Sequence, residues 1–146
     1  MNIKIREMTI DDLKTLSSTL INQFDDFWNI SILESELKND NTFYFVAVLN
    51  EEIVGFIGIH IICDEANLMN IVVNKKFRNQ KIGSKLLDYI LGFCEIKNLS
   101  TITLEVSIKN SYAIELYKKF DFEILGKRKG YYNGTDALIM TKYFDI

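Results

Sequence analysis

The chain has 146 residues, of which 48% are apolar and 25% charged, an ordinary composition for one globular domain. Its formal net charge of −3 argues against a nucleic-acid-binding protein, because phosphate contacts need a basic surface. The longest apolar stretch, 53–63, contains His60 and is too short to span a bilayer, so we expect one cytoplasmic domain over 1–146 with no membrane partner.

The amino-terminal segment predicts one strand and two helices. Residues 3–6 alternate between apolar and charged side chains as a strand does. Thr9-x-x-Asp12 then resembles a capping box that begins a helix ending at about Leu20. A second helix is expected over about 25–38, where polar turn-forming residues end it.

Three strands are expected next, at 42–49, 53–62 and 66–73. Each segment is rich in β-branched and aromatic residues, and the polar residues 50–52 make a short hairpin connection between the first two. We therefore predict three successive antiparallel strands.

The longest helix is predicted at 79–98, and its apolar stripe consists of Ile82, Leu86, Leu87, Ile90, Leu91 and Cys94. A strand precedes it at 66–73 and another follows at 101–107. Strands joined by a crossover helix are parallel neighbours, so these two are expected to pair in a mixed sheet.

The turn before this helix has features that suit a bound anion. The first N–H groups of a helix lack intrahelical partners, and the helix macrodipole favours negative charge there. Gly83 would let the backbone approach a ligand, while Arg78 and Lys81 add positive charge. A glycine beside basic residues at a helix start also occurs in proteins without a ligand, so the pattern alone does not decide.

The strand at 101–107 and the helix after it carry a candidate base and a candidate acid. Polar and apolar residues alternate along the strand, which turns Glu105 away from the core face. Asn110 is a good helix N-cap, and the apolar stripe of the following helix places Tyr117 on its inner side. Taken singly, Glu105 is better explained as a solvated strand residue and Tyr117 as a core aromatic.

The chain is expected to finish as a hairpin of strands at 122–127 and 136–144. Tyr131 and Tyr132 fall in the predicted loop between them, where they would line an acceptor groove or cover the sheet. Cys63 and Cys94 are far apart and are expected to be small buried apolar residues, and no thiolate-lowering neighbour is evident for an acyl-enzyme route. With a single histidine in the chain, no metal site is expected.

Together these elements resemble a known family. Arg78-x-x-Lys81-x-Gly83 is similar to the acetyl-CoA-binding motif of the GNAT superfamily of N-acetyltransferases, Arg/Gln-x-x-Gly-x-Gly/Ala, and the order of elements matches over essentially the whole chain. More narrowly, six segments look like the RimI branch, the ribosomal-protein N-terminal alanine acetyltransferases: 70–73, 104–106, 110, 113–122, 130–132 and 136–140. Lys81 departs from the motif, which has its first glycine there.

The resemblance implies an α/β (α+β) fold with one GNAT-type domain. Its sheet would be mixed and mostly antiparallel, with about seven strands, flanking helices and a splayed parallel pair at 66–73 and 101–107. Acetyl-CoA would be the cosubstrate. The residues implied to bind it are Ile71, Val72 and Val73 along the pantetheine arm, Arg78, Asn79, Gln80, Lys81, Ile82, Gly83 and Ser84 around the pyrophosphate, and Asn110 near the reactive end.

By the same resemblance Glu105 and Tyr117 fall on the family's base and acid, and the reaction would be direct transfer of acetyl to a protein N-terminal α-amine. An α-amine with a pKa near ~8 is already about one tenth neutral at pH 7, so a modest base suffices. The leading acceptor is the N-terminal alanine of a small-subunit ribosomal protein. Alternatives are lysine, a polyamine or an aminoglycoside, which the acidic segment 1–40 would attract, or a non-catalytic acyl-CoA-binding module. A monomer or weak dimer is expected.

Overall fold

The computed structural model describes residues 2–17, 30–132 and 134–144, which form seven strands and four helices. In chain order these are β1 (Lys4–Glu7), α1 (Ile10–Ser17), α2 (Ile30–Leu37), β2 (Thr42–Leu49), β3 (Glu52–Ile62), β4 (Glu65–Val73), α3 (Ile82–Ile96), β5 (Thr101–Ser107), α4 (Ser111–Lys119), β6 (Glu123–Tyr132) and β7 (Thr135–Tyr143). The strands form one sheet in the order β1-β2-β3-β4-β5-β7-β6. The predicted mixed, mostly antiparallel sheet of seven strands is therefore confirmed. Within the described ranges, no helix has the length and hydropathy needed to cross a membrane.

The chain divides into two compact units, Met1–His60 with Met69–Leu91 and Ile61–Leu68 with Gly92–Ile146. In the first unit β1, β2 and β3 pair in antiparallel order. The buried side chains that pack together there are Met8, Leu13, Leu16, Leu33, Tyr44, Val46, Ile53, Phe56 and Val72. Both α1 and α2 contribute leucines to this cluster, so the apolar face of each helix holds it against the strands.

The predicted capping box of α1 is present. The Thr9 N–H donates to Asp12 Oδ2 at 2.8 Å, and the Asp12 N–H donates to Thr9 Oγ1 at 3.3 Å. Arg6 adds two bonds to the same carboxylate, at 2.8 and 3.0 Å. The hydrogen bond from Arg6 is the main reason that the pKa of Asp12 lies below its ordinary value.

In the second unit the start of β4 pairs with β5 in parallel, through Glu65–Thr101, Ala66–Ile102 and Asn67–Thr103. The parallel pairing predicted for these two strands is thus confirmed. β7 lies between β5 and β6 and is antiparallel to both. Along β5 the burial alternates as the sequence predicts, with Ile102, Leu104 and Val106 in the core.

Two boundaries differ from the prediction by three residues or more. The long helix begins at Ile82 instead of residue 79, because Asn79 and Lys81 have left-handed φ angles of 64° and 65° that a helix cannot include. The last hairpin also differs, since β6 continues to Tyr132 and the backbone of Tyr131 and Tyr132 belongs to the strand, not to the loop. The predicted ends of the first two helices between 18 and 29 lie outside the described residues.

Candidate active site

The end of β4 is held by Asn74, a buried residue that links two backbones. Its N–H donates to the Val54 carbonyl at 2.8 Å, and its side-chain oxygen accepts from the Lys76 N–H at 2.9 Å. Immediately after a 3₁₀ turn, the Arg78 guanidinium lies 3.3 and 3.4 Å from the Val73 carbonyl oxygen. The last residue of β4 and the first basic residue of the turn are therefore tied together.

The predicted anion site lies at the start of α3, where the first N–H groups lack intrahelical acceptors. The Lys85 N–H bonds to the Lys81 carbonyl at 3.1 Å, so Lys81 occupies the position just before the helix. The next three N–H groups, those of residues 82–84, consequently have no intrahelical acceptor. No acidic side chain lies in the first turn, and Lys81 itself is exposed. This donor set fits the pyrophosphate of an acyl-CoA.

Lys81 has a backbone conformation that glycine adopts more easily than lysine does. Its φ of 65° lies in the left-handed region, which glycine enters freely and other residues enter at a cost of about 1–2 kcal/mol. Lysine at this position therefore adds a cationic side chain to the turn at a cost in backbone strain.

The residues expected along the pantetheine arm lie at the end of β4. Val72 is buried, and Ile71 and Val73 are half-buried on either side of it. Gly55 on β3 sits close to this segment, because a Cβ placed there would be 2.8 Å from the Val72 carbonyl oxygen. A side chain at residue 55 would push the two strands apart, a constraint that the sequence pattern did not reveal.

A second unpredicted feature precedes this segment. Asn70 is 9% exposed and donates through Nδ2 to the Tyr44 hydroxyl at 2.9 Å, while its Oδ1 is buried without a hydrogen-bond partner among the described residues. The Tyr44 ring covers Gly58, where a Cβ would be 2.3 Å from the ring. Burial, and to a smaller extent the charge of Glu36, raises the pKa of Tyr44 to about 12, so the hydroxyl stays protonated.

The second unit holds the three predicted residues of the reaction centre. Glu105 on β5 is half-buried, and its Oε1 lies 3.1 Å from Nη2 of Arg128 on β6. Asn110 caps α4 as predicted, since its Oδ1 accepts from the Ala113 N–H at 3.1 Å. Of the pair singled out in the sequence, Glu105 is thus joined to a cation that the sequence pattern did not indicate.

Tyr117 is on the buried side of α4, as the apolar stripe predicts. Its side chain is 5% exposed and its ring lies 5.5 Å from that of Phe122, centroid to centroid. The Phe120 and Phe122 N–H groups both donate to the Tyr117 carbonyl, at 3.0 and 3.1 Å. Tyr117 therefore lies near the carboxyl end of α4, with its ring against that of Phe122. The side chains of Tyr131 and Tyr132 fall outside the described structure, so their place in an acceptor groove stays a prediction.

The two cysteines differ in burial, and one acidic residue of segment 1–40 forms an ion pair. Cys94 is buried as expected, and its burial raises the pKa of the thiol to about 12, which disfavours a thiolate. Cys63 is exposed, so the expectation of burial is wrong there; it occupies the turn between β3 and β4 with a left-handed φ of 55°. In the acidic segment, Glu34 is paired with Lys38 at 3.2 Å, which lowers its availability to a cationic acceptor.

A family model and two similar curated proteins agree on one family for this chain. The model of the Acetyltransferase (GNAT) family matches residues 9–122. A Bacillus subtilis protein provisionally named as a ribosomal protein bS18-alanine N-acetyltransferase is 33% identical over 139 residues, 93% of this chain and 92% of that protein. The Escherichia coli K12 ribosomal protein bS18-alanine N-acetyltransferase is 33% identical over 93 residues, which span 64% of this chain and 63% of the relative.

Solved structures agree with this grouping. The crystal structure of the ribosomal-protein-S18-alanine N-acetyltransferase from Escherichia coli has a TM-score of 0.90 and 26% identity, covering 99% of this chain and 96% of its own. Arabidopsis thaliana NAA60 in complex with acetyl-CoA has a TM-score of 0.83 at 19% identity, over 98% and 99% of the two chains, and shares the fold.

Proposed function

The chain belongs to the Acetyltransferase (GNAT) family, and we propose that it transfers acetyl from acetyl-CoA to the N-terminal alanine of ribosomal protein bS18. As a member of this family it is an acetyl-CoA-dependent N-acetyltransferase. The observation that carries the choice of acceptor is the 33% identity, over 93% of the chain, to the Bacillus subtilis protein named for that alanine. Because a ribosomal protein is the proposed acceptor, we further propose that the protein acts in the cytoplasm. We also propose that residues 1–146 form a single domain and that the protein is a monomer or weak dimer.

For the cosubstrate, we propose that two segments of the first unit hold acetyl-CoA. Backbone groups of Ile71, Val72 and Val73 would pair with the pantetheine arm, and one of their N–H groups would donate to the acetyl carbonyl oxygen. The turn from Arg78 to Ser84 would hold the pyrophosphate through the helix N–H groups and the two basic side chains. The N–H groups of residues 82–84, which lack intrahelical acceptors, and the absence of acidic residues in the first turn of α3 support this assignment.

Acetyl-CoA supplies the acetyl group as a thioester, and the residues of the chain supply the proton transfers. Glu105 is the proposed base: its carboxylate attracts the cationic α-amine and takes its proton, directly or through a water. Tyr117 is the proposed acid that gives a proton to the departing sulfur. A phenol, with an ordinary pKa near ~10, is a weaker acid than a thiol near ~8.5, so proton transfer to a free thiolate is unfavourable by about 2 kcal/mol. We therefore propose that the tyrosine hydroxyl donates its proton as the C–S bond breaks, and that the proton leaves with the thiol of CoA. Asn110 would contact the cosubstrate through its amide nitrogen, since its oxygen caps α4.

The test is mass spectrometry of acceptor peptides after incubation with acetyl-CoA. The N-terminal peptide of bS18, beginning with alanine, should gain one acetyl group at its α-amine. The matched acceptor is the same peptide with a blocked N-terminus and an internal lysine, which should stay unmodified. A reaction without enzyme measures the uncatalysed background, and the Glu105→Gln variant measures the activity that remains without the proposed base.

Other outcomes separate the alternatives. Acetylation of lysine, a polyamine or an aminoglycoside in preference to the α-amine would refute the proposed acceptor and leave the family activity intact. Binding of acetyl-CoA with no transfer to any amine would indicate a binding module. Intersecting lines in a two-substrate kinetic analysis are expected for direct transfer, and parallel lines would refute it.

A further inference from the structure

Arg128 on β6 contacts the proposed base, and we propose that it is a positioning residue that fixes the orientation of the Glu105 carboxylate for proton transfer. The Nη2 atom of Arg128 lies 3.1 Å from Oε1 of Glu105. This role rests on the proposed function, because it assumes that Glu105 receives the proton of the acceptor amine.

The sheet register explains how two side chains on non-adjacent strands meet. Glu105 is paired with Ile139 on β7, and Ile139 with Gly126 on β6. Ala137, two residues before Ile139, is paired with Arg128. Directly paired residues of antiparallel strands share a sheet face, and so do residues two apart on one strand, which puts all five on the same face.

Small side chains clear the path between the two charged residues. Neighbouring strands lie about 4.8 Å apart, so Arg128 must reach roughly 10 Å across β7 to contact β5. Ala137 and Gly126 are small residues on that face, and Ala137 is fully buried. This register permits the long side chain of Arg128 to cross β7 above the methyl group of Ala137.

The exposure of both side chains indicates that the contact from Arg128 orients the Glu105 carboxylate more than it stabilises the fold. The Arg128 side chain is 52% exposed and that of Glu105 is 26% exposed. Ion pairs this accessible to water contribute little to stability. One oxygen of Glu105, Oε1, is held by the guanidinium, and the other, Oε2, is buried. A carboxylate has about four lone-pair sites, which leaves acceptor sites for the incoming amine.

The chain offers a matched control on the same strand. Lys127 is also 52% exposed and pairs with a carboxylate of β7, Asp136, at 3.8 Å. Its backbone partner is Leu138, so it lies on the opposite sheet face from Arg128. Lys127→Met therefore removes the same charge from the same strand and breaks an ion pair of similar exposure that does not involve Glu105.

The experiment measures kcat and KM on the bS18 N-terminal peptide for wild type, Arg128→Met, Arg128→Lys and Lys127→Met. We expect kcat to fall by roughly 10-fold in Arg128→Met, since misplacing a catalytic group by a fraction of an ångström costs less than the ~10²-fold of 1 Å. Arg128→Lys, which restores the charge with one donor, should recover part of the loss. Lys127→Met should keep kcat within about 2-fold of wild type. The acetyl-CoA Kd by calorimetry should be unchanged throughout.

Two further readouts separate positioning from a general structural role. Guanidinium ion at a non-denaturing concentration should partly restore kcat in Arg128→Met and leave Lys127→Met unaffected. In a Glu105→Gln background, adding Arg128→Met should cost no further activity, because the effect acts through the carboxylate.

Each outcome decides the matter. Wild-type kcat in Arg128→Met, or an equal loss with and without Glu105, would overturn the role of Arg128 while the proposed function stands. A wild-type enzyme that acetylates no N-terminal peptide would overturn the proposed function, and the role of Arg128 with it. A fall in kcat that guanidinium reverses and that vanishes without Glu105 supports the proposal.

Discussion

Replacing Lys81 with glycine should stabilise the protein and weaken its binding of acetyl-CoA. The left-handed φ of 65° at Lys81 costs about 1–2 kcal/mol for a residue with a Cβ. Glycine removes this cost but loses more backbone entropy on folding, by about 0.5–1 kcal/mol. The midpoints of these ranges predict that Lys81→Gly raises the free energy of unfolding by about 0.75 kcal/mol, and their extremes give about 0–1.5 kcal/mol.

Although Lys81→Gly should stabilise the protein, it should weaken the binding of acetyl-CoA. Lys81 is exposed, and an ion pair between an exposed lysine and a phosphate falls within about 0.2–1 kcal/mol. Loss of that charge should raise the Kd for acetyl-CoA by roughly 3-fold, and more at low ionic strength than at high. Urea unfolding measures the first quantity, and isothermal titration calorimetry at two salt concentrations measures the second.

Lys81→Met is the matched control, since it removes the charge and keeps the strained backbone. It should weaken binding as much as Lys81→Gly does, with a free energy of unfolding within about 0.5 kcal/mol of wild type. Tighter binding in both variants would show that the lysine obstructs the phosphates, and would refute the contribution of its charge. A Lys81→Gly protein no more stable than wild type would refute the strain assigned to residue 81.

Three more predictions concern the catalytic pair, the first helix and the core. Glu105→Gln and Tyr117→Phe should each lower kcat by about 10²-fold or more with the Kd for acetyl-CoA kept, and wild-type turnover in both would refute their roles. Asp12→Asn should cost about 1–3 kcal/mol at neutral pH. Because the pKa of Asp12 is lowered in the folded state, this stabilisation is present above the ordinary carboxyl range and is lost as pH falls through the lowered value, so urea unfolding should show the difference shrinking in acid. Gly58→Ala should lose about 1–3 kcal/mol, because the new Cβ would lie 2.3 Å from the buried Tyr44 ring, and an unchanged melting temperature would contradict that packing.

Much of the fold follows from local patterns in the sequence. The alternation from Thr101 to Ser107 predicted both the strand and the outward side of Glu105, because one face of β5 is buried and the other is not. Asn110 predicted the start of α4 because its side chain is an effective acceptor for a helix N–H. These features depend on residues that are close in sequence.

Features that depend on backbone irregularity could not be predicted in the same way. Asn79 and Lys81 adopt left-handed conformations that lysine rarely enters, so the helix was predicted to begin three residues early. β6 was predicted to end near residue 127 because its pairing with β7 is shifted between Arg128 and Tyr132, which breaks the alternation of side chains.

Contacts between distant strands were also invisible in the sequence. The pair of Arg128 and Glu105 requires the register of β5, β7 and β6 together, which no local pattern specifies. The bond from Asn70 to Tyr44 joins residues 26 positions apart and likewise depends on the folded sheet.

The shifted register of the last hairpin has a consequence for how the enzyme can diversify. Arg128 lies on the regularly paired side of the irregularity, and Tyr132 pairs with Thr135 beyond it. Insertions or substitutions past the irregularity can therefore be absorbed without sliding the strands that carry Arg128 and Glu105. Sequence changes at the tip of the hairpin can therefore accumulate while the proposed proton-transfer residue Glu105 and its partner Arg128 keep their places.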